Sequence, residues 1–93
     1  MLFRSKGAID SMTKGLALEV AAEGIRVNQV SPGIIDTEIH ADSGEPDRAR
    51  QSAAVIPMRR PGTADEVARA ILWLLSPEAS YSTGTIIDVS GGR

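Results

Sequence analysis

The sequence predicts an α/β protein whose elements run in the order helix, strand, long loop, helix, strand. Two segments carry apolar residues at spacings of three and four, which is the pattern of helices that bury one face. Two short apolar runs end at Pro32-Gly33 and at Gly91-Gly92, residue types that stop a strand. Because the two strands are joined through a helix, we expect them to pair in parallel through a right-handed crossover.

The first helix is predicted from about Ser5 to Glu23. Gly24 follows the last periodic residue, at a position where the left-handed end of a helix favours glycine. A strand is expected to begin at Ile25 and to end near Pro32. The apolar residues expected to form the buried stripe of this helix are Ile9, Met12, Leu16 and Val20, widened by Ala8, Ala17 and Ala21.

The second helix begins with a capping-box spacing, since Thr63 stands three residues before Glu66. Asp65 and Glu66 lie in its first turn, where negative charge stabilises the positive end of a helix, so we interpret them as caps and not as a catalytic pair. The helix is expected to end before Pro77, and the last strand, Thr85–Val89, is expected to be buried. The apolar face of this helix comprises Ala64, Val67, Ala68, Ile71, Leu74 and Leu75.

A polar segment rich in Asp, Ser, Gly, Glu, Pro and Arg separates the first strand from the second helix. Residues 34–60 are therefore predicted to form a mobile loop or lid, within which Asp47–Val55 can form a short helix. The single histidine, His40, lies among loop carboxylates, and one histidine in such a setting is usually a solvated side chain. We assign no metal site.

Composition narrows the classes of protein and partner. The 93 residues suffice for one domain. With 10 basic against 12 acidic residues, the chain does not have the excess of positive charge that nucleic-acid binding requires. The chain has no cysteine, its longest apolar run is Ala70–Leu75, and its first residues lack a signal-peptide core. We expect a cytoplasmic protein with neither a membrane nor a nucleic acid as partner.

Four motifs, in this order and at this spacing, resemble the C-terminal portion of the short-chain dehydrogenases/reductases. The resemblance runs from about Ser5 to Gly92 and implies one partial domain, residues 1–93. This domain would form the last two strands and their helices of a doubly wound, Rossmann-like parallel sheet. The motifs are Ser5-Lys6-Gly7-Ala8, Ile25-Arg26-Val27-Asn28 leading to Pro32-Gly33-x-x-x-Thr37, Arg60-x-Gly62 with Asp65-Glu66, and Ser82-Thr83-Gly84 before Asp88-Val89-x-Gly91-Gly92.

The resemblance implies hydride transfer between NAD or NADP and an alcohol or carbonyl substrate. In this family a tyrosine acts as acid/base, and a lysine four residues later lowers its pKa and binds the cofactor ribose. Lys6 matches that lysine, but Leu2 stands where the tyrosine is expected, and Tyr81 lies too far along the chain for the role. The family's glycine-rich phosphate turn has no counterpart in these residues. The isolated chain is therefore expected to be inactive.

The remaining cofactor residues implied by the resemblance follow the first strand. Pro32-Gly33 would let the nicotinamide approach the backbone, and Ile35 would pair its amide and carbonyl with the carboxamide. Thr37 would donate its hydroxyl to the carboxamide or the pyrophosphate. Open α/β sheets bind ligands beyond the carboxyl ends of their strands, which agrees with this location. The resemblance makes residues 38–60 the variable substrate loop and leaves both the substrate and the choice between NAD and NADP open.

A second hypothesis is that the chain is a non-catalytic remnant that acts as a binding or oligomerisation module. Two strands flanked by two helices leave one ladder edge and part of a sheet face poorly protected. Self-association is therefore expected, and Trp73, which lies off the main apolar stripe, is a candidate partner contact.

Overall fold

The fold is described by a computed structural model, which covers residues 2–36 and 54–93. In chain order its elements are helix α1 (Leu2–Val20), strand β1 (Gln29–Pro32), strand β2 (Ile35–Asp36), strand β3 (Gly62–Thr63), helix α2 (Ala64–Leu75) and strand β4 (Ile86–Val89). Short 3₁₀ turns, Ala21–Glu23 and Pro77–Ala79, follow the two helices. Neither of the helices in these ranges combines the length and the apolar content needed to cross a bilayer.

The strands form two parallel pairs, β1 with β4 and β2 with β3. The Gln29 N–H donates to the Thr85 carbonyl at 2.9 Å and the Gly33 N–H to the Val89 carbonyl at 2.9 Å. Between these two bonds the residue numbers increase in both strands, so β1 and β4 run parallel, as predicted. The pair β2–β3 falls partly within the segment predicted to be a loop. Two-residue strands carry no alternating pattern, and the sequence therefore gives no sign of them.

The chain divides into two compact units. Unit 1 comprises Met1–Gln29 and Trp73–Ile87, and unit 2 comprises Val30–Leu72 and Asp88–Arg93. Among the described residues, the buried side chains of unit 1 are Thr13, Ala17, Leu74 and Ala79, and that of unit 2 is Ile56.

Helix α1 ends at Val20 and continues as a 3₁₀ turn up to Gly24, the predicted stop, but the buried face of α1 differs from the predicted one. Gly24 adopts the left-handed conformation at φ 79° and its N–H donates to the Ala21 carbonyl at 3.0 Å. Ile9, Met12 and Leu16, which were predicted to form the buried stripe, are exposed, whereas Thr13 and Ala17 are buried. Small side chains face inward because the helix packs closely on a turn of unit 1. A Cβ added at Gly84 would lie only 3.5 Å from the Ala17 Cβ.

Strand β1 begins at Gln29, four residues later than predicted. The backbone before it is bonded to the turn that precedes β4. The Val27 N–H donates to the Thr83 hydroxyl at 3.1 Å, and the Val27 carbonyl accepts from the Gly84 N–H at 2.8 Å. The alternating residues Ile25–Asn28 are therefore extended without forming a regular ladder. β4 is likewise half-buried and not fully buried as expected.

Two polar side chains of the segment before β1 form hydrogen bonds within unit 1. The Asn28 amide donates through Nδ2 to the Ser82 carbonyl and accepts at Oδ1 from the Thr85 N–H, both at 3.0 Å. Arg26 Nη1 donates to the Leu74 carbonyl at 2.7 Å, which satisfies an acceptor in the last turn of α2. These bonds give a structural role to the Arg26-Val27-Asn28 and Ser82-Thr83-Gly84 motifs.

Helix α2 begins with the predicted capping box. The Glu66 N–H donates to the Thr63 hydroxyl at 3.1 Å, and the Thr63 N–H donates back to Glu66 Oε1 at 3.0 Å. Arg60 holds the same carboxylate with both terminal nitrogens, at 2.8 and 3.0 Å. The hydrogen bonds from Arg60, followed by that from Thr63, lower the pKa of Glu66 to about 2.

Replacement of Glu66 by glutamine tests its two roles, as a cap of α2 and as the ion-pair partner of Arg60. The folded-state pKa of Glu66 lies below its ordinary value of 4.5, so the carboxylate stabilises the fold above about pH 4.5, and that stability is lost as the pH falls toward 2. We expect Glu66→Gln to lower the melting temperature at pH 7, because it removes the ion pair with Arg60. The decrease should be only a few degrees, since the pair is exposed and screened by solvent. The difference from the unmodified chain should shrink between pH 4.5 and pH 2, as measured by circular dichroism.

Asp65→Asn is the matched control for this prediction. Asp65 lies in the same turn and pairs with Arg69 at 2.9 Å, but both of these side chains are more than two-thirds exposed. Asp65→Asn should therefore lower the melting temperature at pH 7 by less than Glu66→Gln does. Equal melting temperatures for Glu66→Gln and the unmodified chain at pH 7 would contradict the assignment.

Candidate cofactor site

The backbone at the carboxyl end of β1 passes very close to the chain that leaves β4. The Gly33 N–H donates to the Val89 carbonyl, and a Cβ placed on Gly33 would lie 2.9 Å from both Cα and Cβ of Ser90. Contacts below 3.0 Å do not occur for real Cβ atoms, so this approach requires glycine. Gly33 therefore has a packing role of its own, in addition to the cofactor role that the resemblance implies. Pro32, the last residue of β1, is exposed.

Ile35 directs its backbone polar groups away from β3. Ile35 is aligned with Gly62, and the Gly62 N–H donates to the Ile34 carbonyl at 2.9 Å. In a parallel ladder one residue of each aligned pair bonds to both neighbours of its partner, while the partner faces the other edge. Gly62 is the bonding residue here, so within the described residues the N–H and carbonyl of Ile35 are left unpaired. A carboxamide has one acceptor and one donor group, and this edge complements both.

The described end of the predicted loop is packed within unit 2. Ile56 is only 2% exposed, and the Met58 N–H donates to the Gly91 carbonyl at 3.0 Å. A cleft of about 230 Å³ lies beside this contact, which is small for a ligand pocket. Its charged wall includes the Arg60–Glu66 pair, whose groups are already bonded to each other. The cleft is lined by Met58, Arg60, Gly62, Glu66, Asp88, Val89, Ser90 and Gly91.

The other predicted site residues have less structural support. Lys6 lies in α1, within unit 1, and its side chain is outside the described part of the structure. Thr37 and His40 lie outside the described residues, as does most of the predicted short helix at Asp47–Val55. Residues 2–36 and 54–93 contain no group of three potential ligand side chains placed to hold a metal ion.

A polar network on α1 was not predicted. The side chains of Asp10 and Thr13 both bond to Gln29, the first residue of β1. The spacing of three between Asp10 and Thr13 on a helix is visible in the sequence, but nothing in the apolar pattern connects these two residues to a strand residue.

Comparison with known proteins gives this arrangement a family context. The profile of a family described as enoyl-(acyl carrier protein) reductase matches residues 2–93. An uncharacterized oxidoreductase of Escherichia coli K12, YgfF, is 62% identical over 89 residues, covering 96% of this chain and 36% of that protein. The chain thus spans about a third of the length of the curated relatives it matches.

Two of the solved structures that match this chain illustrate the shared fold. A 3-oxoacyl-[acyl-carrier protein] reductase from Brucella melitensis aligns with a TM-score of 0.86 and 42% identity, over 96% of this chain and 33% of that one. An NADPH-bound short chain oxidoreductase from Pseudomonas aeruginosa, described as containing an atypical catalytic center, aligns with a TM-score of 0.79 and 37% identity, over 92% and 35%.

These matches, with the parallel strands and the two helices, define an α/β chain of the Rossmann-type oxidoreductase class. The chain belongs to the short-chain dehydrogenase/reductase family. The predicted fold class, the C-terminal part of a doubly wound parallel sheet, is confirmed.

The close approach of Gly33 to Ser90 can be tested by its effect on stability. Gly33→Ala places a Cβ against the Ser90 backbone and should destabilise the chain by about 1–3 kcal/mol, because overpacking forces the backbone apart. Gly15→Ala is the matched control, because Gly15 lies within α1 and a Cβ added there would meet nothing within 4 Å. This control should stabilise the helix by about 0.5–1 kcal/mol. Urea unfolding measures both, and a Gly33→Ala chain as stable as the original would contradict the contact.

Proposed function

We propose that the chain carries the nicotinamide-facing part of an NAD(P)-dependent oxidoreductase that acts on an alcohol or carbonyl substrate. Family membership supports this proposal, and so does the NADPH bound to the Pseudomonas aeruginosa relative. The chemistry supplied by the cofactor is the gain or loss of a hydride at the nicotinamide ring. The residues of this chain bind and orient that ring.

The observation that carries the proposal is the backbone edge at Ile35, whose N–H and carbonyl have no partner within residues 2–36 and 54–93. Ile35 stands two residues after Gly33, beyond the carboxyl end of a parallel strand, where open α/β sheets bind ligands. An unpaired donor beside an unpaired acceptor binds a carboxamide at two points and so fixes the orientation of the ring. These contacts come from backbone already held by the β2–β3 pair, so little conformational entropy is lost on binding.

The roles of Lys6 and Thr37 rest on resemblance. Lys6 would bind the cofactor ribose and, beside a tyrosine, would hold that phenol ready to transfer a proton. Leu2 has no proton to transfer, so cofactor binding is proposed for this chain without turnover by the chain alone. Thr37 would donate its hydroxyl to the carboxamide or the pyrophosphate.

The alternative function, a non-catalytic binding or oligomerisation module, is favoured by a different observation. Both helices expose apolar side chains that a folded protein normally covers. Met12 is 66% exposed and Leu18 82% on α1, and Leu72 is 65% exposed and Leu75 73% on α2. A homo-oligomer would cover such faces, and sedimentation of the purified chain distinguishes it from a monomer.

Replacement of Ile35 by proline tests the carboxamide contact. Proline removes the backbone N–H while keeping an extended backbone possible. We expect Ile35→Pro to weaken binding of NADPH or NADH about tenfold, which corresponds to about 1.4 kcal/mol for one hydrogen bond. Titration of cofactor fluorescence against the purified chain measures the dissociation constants.

Ile35→Ala is the matched control for Ile35→Pro. It removes the same side chain, whose Cδ1 lies at 3.0 Å from the position of a Cβ on Gly62, but it keeps the N–H. Its affinity should stay within about twofold of the original, because the contact is made by backbone. Equal weakening by alanine and proline would refute the backbone contact. No binding of either cofactor by the unmodified chain would favour the module.

A further inference from the structure

A three-residue polar network joins α1 to the first residue of β1 within unit 1. The Thr13 hydroxyl donates to Gln29 Oε1 at 2.8 Å, and Gln29 Nε2 donates to Asp10 Oδ1 at 2.7 Å. Both ends of the Gln29 amide are therefore used. Only one orientation of the amide satisfies both bonds, because Thr13 is the donor on one side and the Asp10 carboxylate is the acceptor on the other.

The network lies in a partly desolvated position. Thr13 is only 7% exposed, and Asp10 and Gln29 are half-buried. Loss of a partner by a buried polar group destabilises the fold, so both bonds together oppose sliding or rotation of the helix against the strand. Gln29 is itself held in place, because its N–H donates to the Thr85 carbonyl at 2.9 Å.

The same face of α1 carries Lys6. Lys6, Asp10 and Thr13 follow one another at spacings of four and three, which places the three residues on one side of the helix. Ala17, four residues further along this face, is also buried. The network thus sets the rotation of α1 one helical turn after Lys6.

We propose that Gln29, with Asp10 and Thr13, is a positioning element for Lys6. The network fixes the rotation of the helix and so the direction in which the Lys6 position faces. The link from Lys6 to the cofactor rests on the proposed function, whereas the effect on Lys6 itself does not. Misplacement of a positioned group by about 1 Å can cost up to about 100-fold in an enzyme, so loss of the network should be measurable.

The test uses the lysine signals of the full chain. Lys6 and Lys14 are the only lysines, so reductive ¹³C-methylation gives two lysine signals in the NMR spectrum besides that of the N-terminus. Lys14 is exposed and serves as the internal control. We expect Gln29→Leu, which removes both hydrogen bonds, to shift and broaden the Lys6 signal while leaving that of Lys14 in place. A Lys6 signal unchanged in Gln29→Leu would overturn the proposal.

A charge exchange separates hydrogen bonding from electrostatics. Gln29→Glu faces Asp10 with a second carboxylate and should disturb Lys6 at pH 7. Asp10→Asn keeps an acceptor for Gln29, and the double variant Asp10→Asn/Gln29→Glu reverses the donor and the acceptor, so both should keep the narrow Lys6 signal. If the signal follows the net charge and not the hydrogen bonding across these variants, the positioning role is refuted. Circular dichroism confirms that each variant retains its helix content.

NADPH titration of the same signals connects the network to the proposed function. Gln29→Leu should weaken NADPH binding about tenfold, and the double variant should restore it to within about twofold. If Gln29→Leu disturbs Lys6 but leaves NADPH affinity unchanged, the role of the network in binding is overturned. If NADPH binds none of these chains, the proposed function fails, while the cofactor-free spectra still decide whether the network positions Lys6.

Discussion

The approach of Gly33 to Ser90 is the contact on which the backbone arrangement at Gly33, Ile34 and Ile35 depends. Three consecutive residues there use their backbones differently. Gly33 donates to Val89, the Ile34 carbonyl accepts from Gly62, and Ile35 bonds to neither strand. The chain changes partner between β4 and β3 within two residues, and this change leaves the N–H and carbonyl of Ile35 without a partner in the part of the chain that the structure describes. A side chain at Gly33 would push the backbone away from Ser90, and the partner change could not occur in so short a distance.

Local signals in the sequence predicted the structure where one or two residues decide the backbone. Gly24 ends the 3₁₀ turn after α1 in the left-handed conformation, and the Thr63–Glu66 spacing forms the capping box of α2, as expected. Pro32 ends β1 as predicted. Each of these features depends on residues at most three apart, so its energetics are visible without knowledge of the rest of the fold.

Features that depend on distant partners were predicted less well. The apolar residues of α1 cluster at helical spacing, but the periodicity does not say which surface covers them, and Met12 and Leu16 are exposed while Thr13 is buried. Nor did the polar character of Gln29 indicate that its amide bonds to two residues of α1. The relatives are about three times as long as this chain.

Binding and turnover place different demands on this sequence. The contact proposed at Ile35 uses backbone atoms, so it tolerates substitution as long as the strands keep their register. Proton transfer depends on one side chain of the right chemistry, and leucine, the residue at position 2, has no proton to transfer. In the proposed function, the backbone contact to the nicotinamide and the transfer of a proton therefore depend on different residues, and one can be absent without the other. Leu2, which stands one turn before Lys6 in α1, is therefore compatible with the cofactor contact proposed at Ile35.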